Sequence, residues 1–348
     1  MRPRTALTTE RFPDQHYSVL FNRRTGFFAR IEEPGHEPPF WSQHGPELLD
    51  ISITGWCDRG CATCYRESGP SGKHMPLEDY GTILRQARSM HVLQVALGGG
   101  NPNQHPDFCE MLRMARQDYG IVPNYTTNGR GLTPEVVRAS GLHCGAVAVS
   151  AYETYEEMTS AITALLRGGI QVNVHFVLDS ASIETAVEWL EHQPHYLGGI
   201  NAIVFLNHKP VGRHPGSYRP LRDSPLVEQF FRLATAGHRF QVGFDSCLAT
   251  GLARFTDVSP VCFDGCEAGR FSMFVSEDMR MYPCSFMATD GAGLLVESAN
   301  MLEVWRNSEP FVAIRAKLAT DRCPDCNRSS VCMGGCPVFP EIGLCGNR

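Results

Sequence analysis

The chain has 348 residues, enough for one large domain and a smaller one, with 43% hydrophobic and 20% charged residues as in ordinary globular proteins. With a net charge of −6 at pH 7, the chain lacks the excess of basic residues that is typical of proteins that bind nucleic acid or an anionic membrane surface. No apolar run approaches the roughly 20 residues of a membrane span, and the N-terminus has no apolar signal-peptide core, so we expect a cytoplasmic protein.

Residues 1–47 contain a predicted hairpin, HYSVLFNRRTGFFARIEE, with alternating aromatic and aliphatic positions around an Asn-Arg-Arg-Thr-Gly turn. A connector rich in Pro and Gly follows it. We expect the hairpin to cover one end of the domain that comes after it.

Between residues 48 and 246, short β-branched runs alternate with amphipathic stretches, which predicts a parallel sheet with right-handed crossovers. One helical stretch begins near Pro76 and carries an apolar face of Leu77, Tyr80, Ile83, Leu84 and Ala87. The predicted strands are Leu49–Thr54, Val92–Leu97, Val122–Thr126, Ala146–Ser150, Gln171–Leu178, Ala202–Leu206 and Phe240–Phe244.

The number of strand–helix units predicts an α/β fold of the partial (β/α)6 barrel type, and an open doubly wound sheet is the alternative. From residue 247 the alternation stops and the chain becomes rich in Cys, Gly and Pro. Residues 247–348 therefore predict a small cysteine-rich domain in which metal coordination replaces much of the core.

Fourteen cysteines are the most informative feature of the composition. In a reducing compartment, spaced cysteine clusters indicate metal or redox sites rather than disulfides. Three cysteines lie at positions 57–64 and eight lie between 262 and 345, whereas Cys109, Cys144 and Cys247 stand apart. This distribution predicts two metal-bearing regions.

The first group, Cys57, Cys61 and Cys64, has the spacing C-x3-C-x2-C in ISITGWCDRGCATCYRE, directly after the first predicted barrel strand. Three thiolates can hold three irons of a cubane cluster and leave the fourth iron open, as a catalytic site requires. A zinc knuckle is the weaker interpretation, because structural zinc normally takes four protein ligands.

This spacing, in the loop after strand one of a (β/α) barrel, resembles the signature of the radical S-adenosylmethionine (SAM) superfamily. The resemblance implies a [4Fe–4S] cluster whose open iron is chelated by the amino and carboxylate groups of SAM. Reduction of the cluster would then yield a 5′-deoxyadenosyl radical that abstracts a substrate hydrogen atom. It also implies a low-potential electron donor of the flavodoxin or ferredoxin type.

The resemblance continues along the barrel. The segment LGGGNPNQHP resembles the family's Gly-Gly-Glu stretch, with Gly100 in place of Glu, and KPVGR resembles a segment that runs beside the adenine. One departure is Thr63, which stands where an aromatic residue commonly packs the adenine, and Tyr65 follows nearby. The SAM contacts that the resemblance implies are Gly98, Gly99, Gly100, Asn128, Ser150, Val211, Gly212 and Arg213.

The tail contains C-x2-C-x5-C-x3-C followed by one more cysteine, which resembles the SPASM domain. The resemblance implies two auxiliary [4Fe–4S] clusters with interleaved ligands, and zinc sites are the weaker alternative because no His is among the eight residues. Met279 stands where the family usually has Gly. The implied ligands are Cys262, Cys266, Cys284 and Cys336 for the first cluster and Cys323, Cys326, Cys332 and Cys345 for the second.

The three isolated cysteines have different predicted roles. Cys109 and Cys144 fit small core residues. Cys247 follows the last predicted strand, two positions after Asp245, so we expect it near the barrel mouth. There it would donate a hydrogen atom to a substrate radical, and a bystander at the domain junction is the alternative.

The SPASM resemblance implies maturation of a ribosomally made peptide or protein by cross-linking, oxidation or epimerisation. Only 47 residues precede the predicted barrel, too few for the leader-binding domain that many such enzymes carry, so a leader peptide is expected to need a separate leader-peptide-binding protein or a different surface of the enzyme. The alternative activity is oxidation of a small molecule such as a sugar or amino-acid derivative. Outside enzymes, the alternative is a zinc-stabilised binding module or an electron carrier.

Overall fold

The computed structural model describes residues 6–288, 293–297, 299–320, 323 and 325–345. The strands are β1 (Leu7–Phe12), β2 (Tyr17–Asn22), β3 (Phe28–Glu32), β4 (Leu48–Thr54), β5 (Gln94–Gly99), β6 (Val122–Thr127), β7 (Val147–Ser150), β8 (Val172–Leu178), β9 (Ala202–Asn207), β10 (Gln241–Phe244), β11 (Ser272–Val275), β12 (Arg280–Tyr282) and β13 (Leu294–Leu295). The α-helices are α1 (Leu77–Ser89), α2 (Phe108–Arg113), α3 (Pro134–His143), α4 (Glu156–Arg167), α5 (Ile183–His192), α6 (Val227–Ala234), α7 (Ala249–Phe255), α8 (Met301–Asn307), α9 (Glu309–Ala319) and α10 (Ser329–Cys332).

The predicted N-terminal hairpin is confirmed as β2 and β3. The sequence analysis missed β1, a largely exposed strand that pairs antiparallel with β2 and completes a three-stranded sheet. Phe21 of β2 is fully buried and packs in one cluster with Leu93 and Val122, which lie at the amino ends of barrel strands. The sheet therefore covers the lower end of the barrel, as expected.

The predicted barrel is confirmed. Seven parallel strands, β4 to β10, lie side by side in chain order, and each predicted strand is present with its ends within two residues of the prediction. A doubly wound sheet reverses its strand order at a switch point, and no reversal occurs among these seven strands. In the part of the chain that the structure describes, β10 is an edge strand, so the barrel is open.

The helices pack around this barrel through apolar faces. In α1, Tyr80, Ile83, Leu84 and Ala87 are fully buried, and Pro76 lies at the helix start as predicted. Cys109 and Cys144 are partly buried against the main core, which confirms their assignment as core residues. No helix in the described ranges is long and apolar enough to cross a membrane.

The tail contains strands that its sequence pattern did not indicate. Strand β11 pairs in parallel with β4, and β12 and β13 extend the same sheet in antiparallel fashion, so ten strands form one sheet. These strands have two to four residues each, too short to give a clear sequence pattern. The division between residues 246 and 247 stays a prediction, although the tail continues the barrel sheet.

Met279 occupies the turn between β11 and β12 with φ = 63°. This left-handed conformation favours glycine, and a side chain there costs about 1 kcal/mol. The side chain is only 4% exposed and belongs to the main core, so burial offsets this cost. The glycine of the family pattern therefore reflects a backbone requirement that this chain meets with methionine.

Arg30 of β3 joins three distant segments. Its guanidinium makes 2.8 Å ion pairs with Glu47, Asp264 and Glu267 and lies 3.6 Å from the centre of the Phe271 ring. Glu47 precedes β4, whereas the other two carboxylates flank Cys266. The N-terminal sheet is thereby tied to both the barrel and the tail.

Candidate functional site

A cavity of about 430 Å³ opens at the carboxyl ends of the barrel strands. This is the end at which barrel enzymes carry their active sites, because the loops there can vary without disturbing the core. Predicted site residues from four separate segments line it, namely Cys57, Cys61, Cys64, Gly98, Gly99, Gly100, Asn128 and Ser150.

The cysteine loop after β4 is held by backbone and side-chain hydrogen bonds. The Cys57 amide donates to the Gly69 carbonyl at 3.1 Å, and Asn128 Nδ2 donates to Cys57 Sγ at 3.6 Å. The Tyr152 hydroxyl donates to the Cys61 thiol and accepts from Ser150. Burial raises the pKa of Cys61, while nearby Arg59 and this hydrogen bond act in the opposite direction.

The three thiols that line the cavity, Cys57, Cys61 and Cys64, supply one ligand fewer than the four that structural zinc normally takes. The metal group that they hold stays a prediction.

The glycine stretch at the end of β5 lies against the cysteine loop. A Cβ atom on Gly99, whose φ is +111°, would lie 2.1 Å from the Thr54 carbonyl oxygen, and one on Gly100 would lie 1.9 Å from the Trp56 carbonyl oxygen. A Cβ on Gly98 would meet nothing within 4 Å. Two of these glycines are therefore required by backbone packing, whereas Gly98 leaves the main chain open to the cavity.

Buried Asn101 connects the glycine stretch to the loop after β6. Its Oδ1 accepts hydrogen bonds from Thr127 Oγ1 and the Asn128 amide, each at 3.1 Å, and its Nδ2 donates to the Arg130 carbonyl. The side chain thus fixes Asn128 beside Cys57.

Val211, Gly212 and Arg213 are not among the residues that line the cavity, and the last two lie against the cysteine loop. The Arg213 guanidinium donates to the Cys61 carbonyl at 3.0 Å and to the Ser68 carbonyl. A Cβ on Gly212 would lie 2.3 Å from the Cys64 carbonyl oxygen. The structure thus shows this segment supporting the loop, and its contact with SAM stays a prediction.

Several cavity residues escaped the sequence analysis. Asp50 and His175 face the cavity from β4 and β8, and burial raises the pKa of Asp50 to about 7 and lowers that of His175 to about 4. A signal existed, since VNVHFVL places polar residues at alternate positions of an otherwise apolar strand. Lys209 and Asp245 form a 2.5 Å ion pair on the same wall.

The tail closes one side of the cavity. Phe274, Ser285 and Phe286 line it, and the Phe286 ring lies 4.6 Å from that of Tyr65. Thr63 and Tyr65 both line the cavity, and a contact of either with the adenine stays a prediction.

The tail thiols fall into two groups. Cys266, Cys284 and Cys336 interact electrostatically with one another, and burial raises the pKa of Cys266 to about 12 and of Cys284 to about 11. In the second group, Cys345 interacts with the remaining three predicted ligands, Cys323, Cys326 and Cys332. Seven of the eight predicted tail ligands thus interact within one or the other of two groups, and the clusters with their ligands stay a prediction.

Cys247 and Cys262 differ in their surroundings from the buried tail thiols. Cys262 is exposed, whereas Cys266 and Cys336 are buried. Cys247 is half-buried and is not among the residues that line the cavity. Interaction with the Cys247 thiol lowers the pKa of Cys336. A role for Cys247 as a hydrogen-atom donor stays a prediction.

Residues 51–141 match the family model of the Radical SAM superfamily. The match includes the cysteine loop, the glycine stretch and Asn128, which are the residues that meet at the cavity. The chain therefore contains a radical SAM domain, and enzymes of that superfamily use a [4Fe–4S] cluster and SAM.

Among curated proteins, the chain is 24% identical over 321 residues to mycofactocin maturase MftC of Mycobacterium ulcerans, covering 84% of each chain. It is 31% identical over 113 residues to PqqA peptide cyclase of Ruegeria pomeroyi, covering 31% of this chain and 30% of that protein. Among solved structures, Streptococcus suis SuiB bound to S-adenosylmethionine has a TM-score of 0.73 at 16% identity and 98% coverage of both chains. At this identity, the structural similarity concerns the fold alone.

Proposed function

We propose that this enzyme modifies a ribosomally made peptide or protein by abstracting a hydrogen atom from it. The observation that carries the proposal is the composite cavity, which places the cysteine loop and the glycine stretch of the barrel opposite Phe274 and Phe286 of the tail. A substrate in this cavity would lie between the SAM site and the tail cysteines.

The residues around the first site fit a cluster with one open iron. Cys57, Cys61 and Cys64 would hold it, and no fourth cysteine lines the cavity in the described residues. When bound, the [4Fe–4S] cluster and SAM supply the electron and the 5′-deoxyadenosyl radical for the reaction. The open main chain at Gly98 can receive the SAM amino group, and Ser150 lies on the same wall.

On the substrate side, the cavity offers charged and polar groups. The Lys209 ammonium is paired with Asp245, while Asp50 and His175 lie deeper in the barrel. Groups of this kind orient a polar substrate through hydrogen bonds while apolar walls exclude water. They would hold one C–H bond of the substrate toward the SAM site.

The peptide substrate is proposed from the relatives, since one is named a maturase (mycofactocin maturase) and another a peptide cyclase (PqqA peptide cyclase). The two tail groups would hold auxiliary [4Fe–4S] clusters, which can accept an electron from a substrate radical. A low-potential flavodoxin or ferredoxin would reduce the first cluster, and a separate protein would present the leader peptide.

The first experiment tests SAM cleavage. Anaerobically purified protein is reduced in the presence of SAM, and 5′-deoxyadenosine is measured by chromatography. We expect it from the wild type and from Cys109→Ala, whose thiol packs against the core, but not from Cys64→Ala. Wild-type protein with intact clusters that forms no 5′-deoxyadenosine would overturn the enzyme assignment.

The second experiment identifies the substrate class. Short peptides encoded beside the gene are synthesised with deuterium on candidate carbons, and transfer of deuterium into 5′-deoxyadenosine is measured by mass spectrometry. Transfer from a peptide supports maturation. Transfer from a sugar or amino-acid derivative alone would show that the enzyme oxidises a small molecule instead of maturing a peptide. The cavity volume of about 430 Å³ also accommodates a small molecule.

A further inference from the structure

Three metal-ligating side chains meet at one end of the N-terminal sheet. His16 directly precedes β2, Glu33 directly follows β3, and His36 lies in the connector that leads toward the barrel. One nitrogen of each imidazole and one oxygen of the carboxylate all lie within 4.8 Å of one another. These residues do not line the active-site cavity, so the proposed reaction does not account for their arrangement.

The main chain holds the three positions together. The antiparallel pairing of β2 with β3 ends at Tyr17 and Glu32, which places the next residue on each strand side by side. The Glu33 amide donates a hydrogen bond to the His16 carbonyl at 2.8 Å, and the His36 amide donates to the Glu33 carbonyl at 3.0 Å. The convergence of these side chains is therefore built into the backbone of the sheet and its following turn.

The side chains themselves are close and accessible. The distance from His16 Nδ1 to Glu33 Oε2 is 3.0 Å, and the centres of the His16 and His36 rings are 3.7 Å apart. The two rings are inclined by only 16°, so one of them must turn about its Cβ–Cγ bond before both can direct a nitrogen at one ion. All three side chains are exposed, and exposed side chains change rotamer within nanoseconds.

The donor set favours zinc over a hard cation. Two imidazole nitrogens and one carboxylate oxygen are the protein ligands of many open zinc sites, in which water takes the fourth tetrahedral position. Bonds of about 2.0–2.2 Å in that geometry place neighbouring ligand atoms about 3.3–3.6 Å apart. The ligand atoms of this cluster need only small movements to reach such separations. Calcium and magnesium instead require mainly oxygen ligands, of which this cluster offers one carboxylate.

We propose that His16, Glu33 and His36 form a zinc site on the N-terminal sheet. The bound ion joins the start of β2 to the connector after β3, and it thereby fixes the point at which the chain leaves the sheet for the barrel. The site is independent of the iron–sulfur clusters and of the proposed peptide modification, so it can be tested without knowledge of the substrate.

The first test is calorimetric titration of anaerobically purified holoprotein with zinc chloride, since intact clusters occupy the cysteines that hold them. We expect one saturable site per chain, and we expect His36→Ala to bind zinc at least about tenfold more weakly. His91→Ala is the matched control, because His91 is also exposed and pairs with a carboxylate, that of Glu10 at 3.3 Å. It should bind zinc as the wild type does.

The second test identifies the atoms around the bound zinc by X-ray absorption spectroscopy. Nitrogen and oxygen neighbours at about 2.0–2.1 Å are expected, whereas sulfur at about 2.3 Å would place the zinc at cysteines and overturn the assignment. Glu33→Gln keeps the size of the side chain but removes its charge, and it should also weaken binding. Absence of saturable binding to the wild type, or equal affinity in His36→Ala and His91→Ala, would likewise overturn the proposal.

Discussion

The two cysteine regions of this enzyme are assembled differently. The first comes from one loop of eight residues, 57–64, and faces a cavity. The tail groups draw on segments up to 70 residues apart, from Cys266 to Cys336, and their thiols interact with one another. A site that faces a cavity suits a reaction, whereas thiols that face one another suit the storage or transfer of electrons.

The loss of a single first-site cysteine should give the largest effect. Cys57→Ala should abolish SAM cleavage and remove about four of about twelve irons, because each [4Fe–4S] cluster is assembled separately. The readouts are 5′-deoxyadenosine and iron per chain. If the variant lost nearly all of its iron, the two regions would depend on one another.

Arg30→Ala should act mainly on the tail. It leaves Glu47, Asp264 and Glu267 without their shared cation, and breaking a buried ion pair typically costs about 3–5 kcal/mol. We expect a lower unfolding temperature and a loss of tail iron, with SAM cleavage retained at low temperature. Exposed Arg24→Ala is the control and should behave as the wild type.

The glycine stretch offers a sharper comparison within the first site. Gly99→Ala combines an unfavourable φ with a 2.1 Å clash against the Thr54 carbonyl, so we expect about 2 kcal/mol or more of destabilisation and poor cluster retention. Gly98→Ala meets nothing within 4 Å and should keep the stability of the wild type. It should nevertheless weaken SAM binding, measured by calorimetry. Equal stability of both variants would contradict this interpretation.

The smallest effect concerns pH. Burial raises the pKa of Asp50 from 3.8 to about 7, so the folded protein binds this proton more tightly than the unfolded chain. The resulting stability is fully present below about pH 4 and is lost as the pH rises through about 7. Asp50→Asn should remove this pH-dependent part of the free energy of unfolding. Because water in the cavity weakens the effect of the buried charge, we expect the loss to be about 1–2 kcal/mol.

The measurement is the difference in unfolding temperature between pH 5 and pH 8 under anaerobic conditions. Asp50→Asn should show a smaller difference than the wild type. Asp278→Asn is the control, because that carboxylate is largely exposed and lies outside the cavity. An unchanged difference in Asp50→Asn would show that another group carries the pH dependence.

Features that depend on neighbouring residues were predictable. The seven barrel strands follow from β-branched runs bounded by turns, and the first cysteine group follows from its spacing after β4. The short strands β1 and β11 to β13 were missed, because each has too few residues or too polar a pattern to stand out. Asp50 and His175 were missed because burial on both faces of a barrel strand hides which residues point inward.

The sequence by itself indicated the class of enzyme, the positions of the barrel strands and the first cysteine group, since each depends on residues close together in the chain. Tertiary structure decided the order of the strands in the sheet and which tail thiols meet, because their segments are joined only through packing. It left Cys262 exposed and set Gly212 and Arg213 against the cysteine loop. Spacing along the chain carries no information on these distances, which arise from the fold as a whole.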